Sequence, residues 1–231
     1  MTWIIVNKMD KNSIKQQNLQ FLIDVTNNLL NWAYENYKEK VFVTTAFGAN
    51  GIVMLDFIKK ELPVYFIDTG YHFDETLEAK EHYKKKDFNI LEVGSEVRGS
   101  EQILEEMGTD ICCWINKVEP MKRIMKEKEG YLWITAISRS QADTRKNISI
   151  LELQENNIIK LSPMLYWKED EVWNYIKDKK LFYNRLYDKG YKSIGCRPCT
   201  TPVKDGEDSR AGRWRDCSKE ECGLHTDFEK E

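Results

Sequence analysis

The sequence predicts an α/β fold: a mostly parallel, twisted sheet with helices on both faces, forming a single domain with a mobile C-terminal tail. Three observations carry this. Short runs of β-branched and aromatic residues alternate with helical patterns of about 10–15 residues, as in strands joined by crossover helices. Glycine turn signals close the first two strands, at Gly48 and Gly70. The chain has 231 residues, 41% hydrophobic and 32% charged. That suffices for one sizeable core, and no repeat or low-complexity tract marks a second.

In order along the chain, Leu22, Val25, Leu29, Trp32, Ala33 and Tyr37 fall at helical spacing and predict a helix over 12–38. KVFVTTAF (40–47) predicts a buried strand broken at Gly48, and GIVMLDFIKKEL (51–62) a helix. PVYFIDTG (63–70) is a second strand ending in a turn, followed by a charged helix near 74–86 and a third strand, NILEV (89–93). YLWITAIS (131–138) and IIKLSPM (158–164) are two more strands with helices between, and KEDEVWNYIKDKKL (168–181) is an amphipathic helix. After about residue 200 the hydrophobic pattern stops, which predicts a mobile tail or lid. The expected divisions are an N-terminal helical segment (1–39), a central domain (40–200) and the tail (201–231).

Bulk charge narrows the partners. Net charge is −3, from 35 basic and 38 acidic residues, so neither nucleic acid nor a membrane is expected as partner. A homo-oligomer is allowed. The N-terminal MTWIIVNKMDKNSIKQQ shows no secretory pattern, and no stretch approaches about 18 apolar residues. A cytoplasmic protein is expected, in which disulfides are uncommon. Six cysteines then call for metal or redox chemistry.

Four of them form two pairs. Cys112 and Cys113 are adjacent in ICCWINKVEP; Cys196 and Cys199 form a C-x-x-C in GCRPC. Four-cysteine zinc sites usually come as two C-x-x-C knuckles. Adjacent side chains on a helix diverge by about 100°, which suits the separate corners of an iron–sulfur cube better than one tetrahedral ion. The expected cofactor is one 4Fe-4S cluster per chain, with zinc or no metal as the alternatives. Cys222, in ECGLHT, is a spare thiol beside that cage. Cations to stabilise its thiolate are near in sequence: Arg210, Arg213 and Arg215 in the tail, and Lys117 after the vicinal pair.

The loop after the first strand has the shape of an anion cradle. Thr44 and Thr45 offer hydroxyls, Gly48 and Gly51 allow close backbone approach, and a helix N-terminus follows. It is neither G-x-x-x-x-G-K-[ST] nor G-x-G-x-x-G. At the second strand exit Asp68, Thr69 and Gly70 can cap, orient and turn, so that a base or ribose lodges between the two loops. His72 and His82 read as structural.

Together these motifs resemble the phosphoadenylyl-sulfate/adenylyl-sulfate reductase family. TTAFGANG is similar to its modified pyrophosphatase-type loop and FIDTGYHFDET to its second nucleotide motif. CCWINKVEP and GCRPC resemble the cysteine motifs of its cluster-containing branch, WITAISRSQADTR its arginine loop, and RAGRW with ECGLH its substrate clamp and catalytic segment. The similarity covers roughly residues 40–226. It implies an adenine nucleotide alpha hydrolase-like fold and thioredoxin-dependent reduction of adenylyl sulfate. Cys222 would be the nucleophile, and Lys117, Arg139, Arg145, Arg210 and Arg213 would meet the phosphosulfate. By the same resemblance Phe47 and His225 join the substrate-binding residues, and thioredoxin or a similar dithiol protein is the partner. The chain departs from the family pattern at Ala136-Ile137-Ser138, commonly Gly-Leu-Arg, and at Asn50-Gly51, where an acidic pair or Glu-Gly is common. A 3′-phosphorylated substrate is the alternative. An ATP pyrophosphatase-type adenylating enzyme would need an S-G-G-x-D-S loop, which this sequence lacks.

Overall fold

Six strands make one sheet: β1 (Val41–Thr44), β2 (Val64–Asp68), β3 (Ile90–Gly94), β4 (Leu132–Ile134), β5 (Leu151–Leu153) and β6 (Ile159–Leu161). The computed structural model describes residues 10–215 and 219–224. The spatial order is β3-β2-β1-β4-β6-β5. All neighbours pair in parallel except β5, which runs antiparallel to β6 at the edge. From β1 the chain winds outward to β3, then returns to β4 on the other side. That reversal opens a crevice at the carboxyl ends of β1 and β4, where open α/β sheets bind ligands.

Both faces are covered because successive strand residues point to opposite sides. Val41 and Val43 enter one core with Leu30 of α1 (Lys11–Tyr37), Ile52 and Met54 of α2 (Ala49–Phe57), Ala79 of α3 (Asp74–Lys84) and Ile176 of α6 (Glu169–Lys179). Phe42, between those two valines, enters the other core with Trp133 and with Met121, Ile124 and Met125 of α5 (Glu119–Glu127). Each such side chain contributes about 1.5–3 kcal/mol when fully buried, so the sheet centre is the most strongly held part of the fold.

The helix ends follow local chemistry. Asp10 caps α1 by accepting from the Ser13 amide at 2.7 Å. α3 carries Asp74 and Glu75 in its first turn and His82 and Lys84 in its last, matching its dipole. α4 (Glu101–Cys113) is interrupted at Gly108, whose φ of 79° only glycine adopts easily. It passes directly into a π-helical turn, Trp114–Val118, before α5.

Three elements differ from expectation. The strand expected over 131–138 keeps only Leu132–Ile134 in the ladder; residues beyond it leave the sheet as wall of the crevice. Strand β5 was not anticipated, because its pattern is inverted: Leu151 and Leu153 are exposed, while Glu152 turns inward to pair with buried Lys160 at 3.0 Å. The sequence after residue 200 reads as having little to bury, yet residues 200–214 fold back on the domain. Thr200 bridges to Arg213, the Trp214 amide donates to the Cys199 carbonyl at 3.0 Å, and Trp214 is 5% exposed. Among the described residues no helix is long and apolar enough to cross a membrane.

Candidate active site and cysteine cage

A cavity of about 290 Å³ fills the crevice. Its floor is the exit of β1. Thr44 Oγ1 accepts from Trp133 Nε1 at 2.8 Å, and Thr45 Oγ1 from the Phe47 amide at 3.1 Å. The second bond folds the loop and turns Phe47 (φ 54°) into the core, where its ring meets Phe66 and Tyr83. Phe47 therefore supports the loop from beneath and is not in the cavity wall. Gly48 is the N-cap of α2, and the Ala49 amide at that N-terminus donates to the Tyr187 hydroxyl at 2.9 Å. A Cβ at Gly51 would collide with Thr45 Oγ1, so this position needs glycine.

The second strand exit divides its labour. Asp68 holds its own turn, accepting from the Gly70 amide at 2.9 Å and pairing with Arg98 at 3.0 Å. Gly70 (φ 72°) lies against the Gly99 backbone, where a Cβ would not fit. Neither lines the cavity. Thr69 does, with its buried hydroxyl 3.4 Å from Cys196 Sγ. His72 Nε2 sits between the Thr69 amide (3.3 Å) and the Ile67 carbonyl (3.1 Å). Burial, ahead of any charge, lowers its pKa, which favours the neutral ring.

Cys112, Cys113, Cys196 and Cys199 surround a second, smaller cavity with Thr69, Asn116 and Lys117. The first three are buried and Cys199 half-buried. Asn116 Nδ2 donates to the Cys112 carbonyl at 3.1 Å and points to its Sγ at 3.6 Å. Burial pushes Cys113 up to about 12 and raises Cys112 and Cys199. Four thiolates here therefore need positive charge among them. Among the described residues no three His, Cys, Asp or Glu side chains converge on a single ion. Four sulfurs around one space, with the Asn116 N–H near Cys112 and the Thr69 hydroxyl beside Cys196, fit an iron–sulfur cube.

Lys117, on the π-helical turn, lines both cavities. Burial would lower its pKa, but Cys196, Cys222 and Cys113 outweigh that and raise it, keeping the ammonium charged. Arg213 stacks on Trp214, its Cζ 4.2 Å from the ring centroid, and reaches Ser193 Oγ at 3.4 Å. Among the described residues its buried Nε has no hydrogen-bond partner. Arg210 and Arg145 also line the cavity, both engaged by Glu221. Burial would raise the Glu221 carboxyl; Arg145 first, then Arg210 and Thr144, hold it below the usual range. Arg139 lies elsewhere: its guanidinium donates twice to the Ile148 carbonyl and covers the Tyr166 ring.

Cys222 lines the same cavity. Burial acts to raise its pKa, but Lys117, the Leu224 amide and Arg213 prevail and lower it, favouring a thiolate. His225 and the sixth cysteine, Cys217, lie outside the described residues. Sequence reasoning did not single out Glu221 or Tyr187 as site residues: the partners that define their roles lie 76 and 138 positions away. The two departures from the resembled pattern face one another, with Asn50 Nδ2 3.4 Å from Ser138 Oγ. A neutral pair stands there in place of an acid and an arginine.

Comparison with known proteins agrees with this geometry. Residues 40–202 match the family described as the phosphoadenosine phosphosulfate reductase domain. Adenosine 5′-phosphosulfate reductase of Staphylococcus epidermidis is 38% identical over 212 residues, covering 85% of each chain. Adenosine 5′-phosphosulfate reductase 2 of Bacillus subtilis is 38% identical over 213 residues, covering 86% of this chain and 88% of that one. The crystal structure of phosphoadenylyl-sulfate reductase from Candida auris, a phosphate complex, superposes with a TM-score of 0.66 at 28% identity, over 84% of this chain and 98% of that chain. FMN adenylyltransferase of Candida glabrata shares the fold alone, at 14% identity and a TM-score of 0.64, over 87% and 73% of the two chains.

Proposed function

We propose that this chain, which belongs to the phosphoadenosine phosphosulfate reductase domain family, reduces adenylyl sulfate to sulfite and AMP with electrons from a dithiol protein of the thioredoxin type. One observation carries the reading: Cys222, with its lowered pKa, shares a cavity wall with Lys117 and Arg213 at the carboxyl end of β1. A nucleotide whose phosphates meet the Thr44–Gly51 loop would direct its sulfonyl end toward those groups.

The chemistry balances without a further oxidant. The Cys222 thiolate attacks sulfur, the sulfur–oxygen bond to phosphate breaks, and AMP leaves with the electron pair, giving an S-sulfocysteine. A thiolate of the dithiol then attacks Cys222 Sγ. The bond between the two sulfurs breaks, sulfite leaves with the electrons, and the partner's second thiol resolves the mixed disulfide. Lys117 supplies a compact charge and Arg213 a fork to the sulfonyl oxygens. The tail (201–231) closes Cys222 over the nucleotide domain (40–200) for the first step and opens for the second.

Cys112, Cys113, Cys196 and Cys199 would hold one 4Fe-4S cluster. When bound, it adds to the electrostatic field at the anion and ties the π-helical turn to the C-x-x-C segment; the electrons are the dithiol's. The test is sulfite release from adenylyl sulfate and from its 3′-phosphorylated form, with and without reduced thioredoxin. The expected result is release from adenylyl sulfate that requires the dithiol. Release from neither nucleotide would refute the reading, and release from the 3′-phosphorylated form alone would reassign the substrate.

A further inference from the structure

Glu221 stands immediately before Cys222, and its carboxylate is turned into the protein. Arg145 meets it with a fork, Nε to Oε1 at 3.0 Å and Nη2 to Oε2 at 3.1 Å. Thr144 Oγ1 donates to it at 3.2 Å, and Arg210 Nη2 lies 3.3 Å from Oε2. The side chains of Glu221, Arg145 and Arg210 are only 10%, 10% and 17% exposed. The two arginines are themselves braced: Arg145 Nη1 donates to Gln141 Oε1 at 2.6 Å, and Arg210 Nη2 to the Glu220 carbonyl at 2.6 Å. A buried, bidentate pair on a pre-set fork is a strong and directional contact.

Lys117 and Arg213, which line the cavity wall along with Lys192, differ from that pair. Among the described residues neither Lys117 nor Arg213 has a carboxylate at ion-pair distance, and both face the space beside Cys222. These four of the wall's five Lys and Arg side chains therefore fall into two sets, one spent on the protein and one open to an incoming anion.

We propose that Glu221 is a positioning residue: its carboxylate clasps the tail to Arg145 and Arg210 and seats Cys222 over the cavity before the nucleotide arrives, leaving Lys117 and Arg213 for the sulfonyl end. This deepens the proposed function and rests on its assignment of Cys222. A competing role predicts the opposite behaviour. If the carboxylate stood in for the substrate's anion, removing it would tighten nucleotide binding and leave the chemical step intact.

The experiment uses the full-length, cluster-loaded enzyme as wild type, Glu221→Gln and Glu221→Asp. Without nucleotide, alkylation of Cys222 by iodoacetamide is followed by mass spectrometry of its peptide. With adenylyl sulfate and no dithiol, the single-turnover rate of sulfonate addition to Cys222 is measured, and AMP affinity is measured separately. Glu221→Gln is expected to speed alkylation several-fold and to slow sulfonate addition at least about 30-fold, the scale of removing one member of a buried, hydrogen-bonded charge pair. AMP affinity should stay within about twofold, and Glu221→Asp, which keeps the charge but shortens the reach, should return both rates part of the way toward wild type. Unchanged alkylation, or tighter AMP binding with undiminished sulfonate addition, would overturn the clasp. If wild type forms no adduct at all, the proposed function fails, while the nucleotide-free alkylation series still decides the clasp.

Discussion

Gly195 offers a way to move one guanidinium without deleting it. A Cβ built there would stand 2.5 Å from Arg213 Cζ and closer still to Nη2. What it meets is the far end of a flexible side chain, so in Gly195→Ala the guanidinium shifts and the backbone stays. Arg213 then leaves the Trp214 ring, 4.2 Å from its Cζ, and Ser193 Oγ, 3.4 Å from its Nη1. If Arg213 holds the sulfonyl oxygens, the substrate loses a hydrogen bond to a charged group, worth about 1.5–3 kcal/mol. That is about 10- to 150-fold in affinity. Calorimetric titration should show this loss for adenylyl sulfate and less than about threefold for AMP, which has no sulfonyl end; Arg213→Ala should give the same pattern. The decisive arm is the double variant. With Arg213 truncated, the added methyl has nothing to displace, so Gly195→Ala should cost nothing more, and coupling of that kind is what touching residues show. Equal losses for both nucleotides, or a full further loss in the double variant, would refute the reasoning. Iron content of each variant, measured in parallel, reports on neighbouring Cys196.

The remaining expectations are briefer. Incubation with adenylyl sulfate and no dithiol should add one sulfonate to Cys222, and Cys222→Ser should abolish adduct and turnover while retaining iron; an active Cys222→Ser enzyme would end the mechanism. Anaerobically prepared protein should contain about four irons and four sulfides per chain, and Cys196→Ser or Cys199→Ser should lose both iron and thermal stability, since metal binding couples to folding; retention of both would place the cluster claim in error. Because the folded Glu221 carboxyl is held below its ordinary value of 4.5, its stabilisation of the closed tail is complete above about that pH and is lost as pH falls through the depressed folded value. Amide exchange at 219–224, corrected for intrinsic rate, should rise over that acid range in wild type and show no such step in Glu221→Gln.

The central strands were legible because their residues answer to local rules. VFV and VYFI are apolar runs bounded by turn signals, and the structure uses both of their faces. Strand β5 escaped because Glu152 points inward to Lys160 and the leucines point out, a pattern only the tertiary ion pair explains. The cavity was legible at its glycines and cysteines, whose spacing reflects what backbone and ligands demand. Its electrostatics were not. Sequence proximity grouped Arg139 with Arg145, yet the turn over 139–145 sends one to the Ile148 carbonyl and the other into the cavity. The fate of each arginine depends on partners such as Tyr166 and Glu221, which no local spacing announces.

The vicinal cysteines show how one local irregularity serves several demands. Cys112 and Cys113 end α4, and in regular helix their side chains would diverge by about 100°. Here the chain enters a π-helical turn at once, an uncommon wide turn found mostly at functional sites. Within five residues that turn exposes Trp114, buries Asn116 against Cys112, aims Lys117 into both cavities and returns Val118 to the core. The two sulfurs and the ammonium are thus held by the same backbone segment, which is anchored at its far end by α5 packing under the sheet. Anything that ties down the sulfurs, as a cluster would, also fixes where Lys117 points. The vicinal cysteines and Lys117 consequently belong to one mechanical unit, and the C-x-x-C segment closes it from the other side through Cys196, 3.4 Å from Thr69 Oγ1 at the exit of β2.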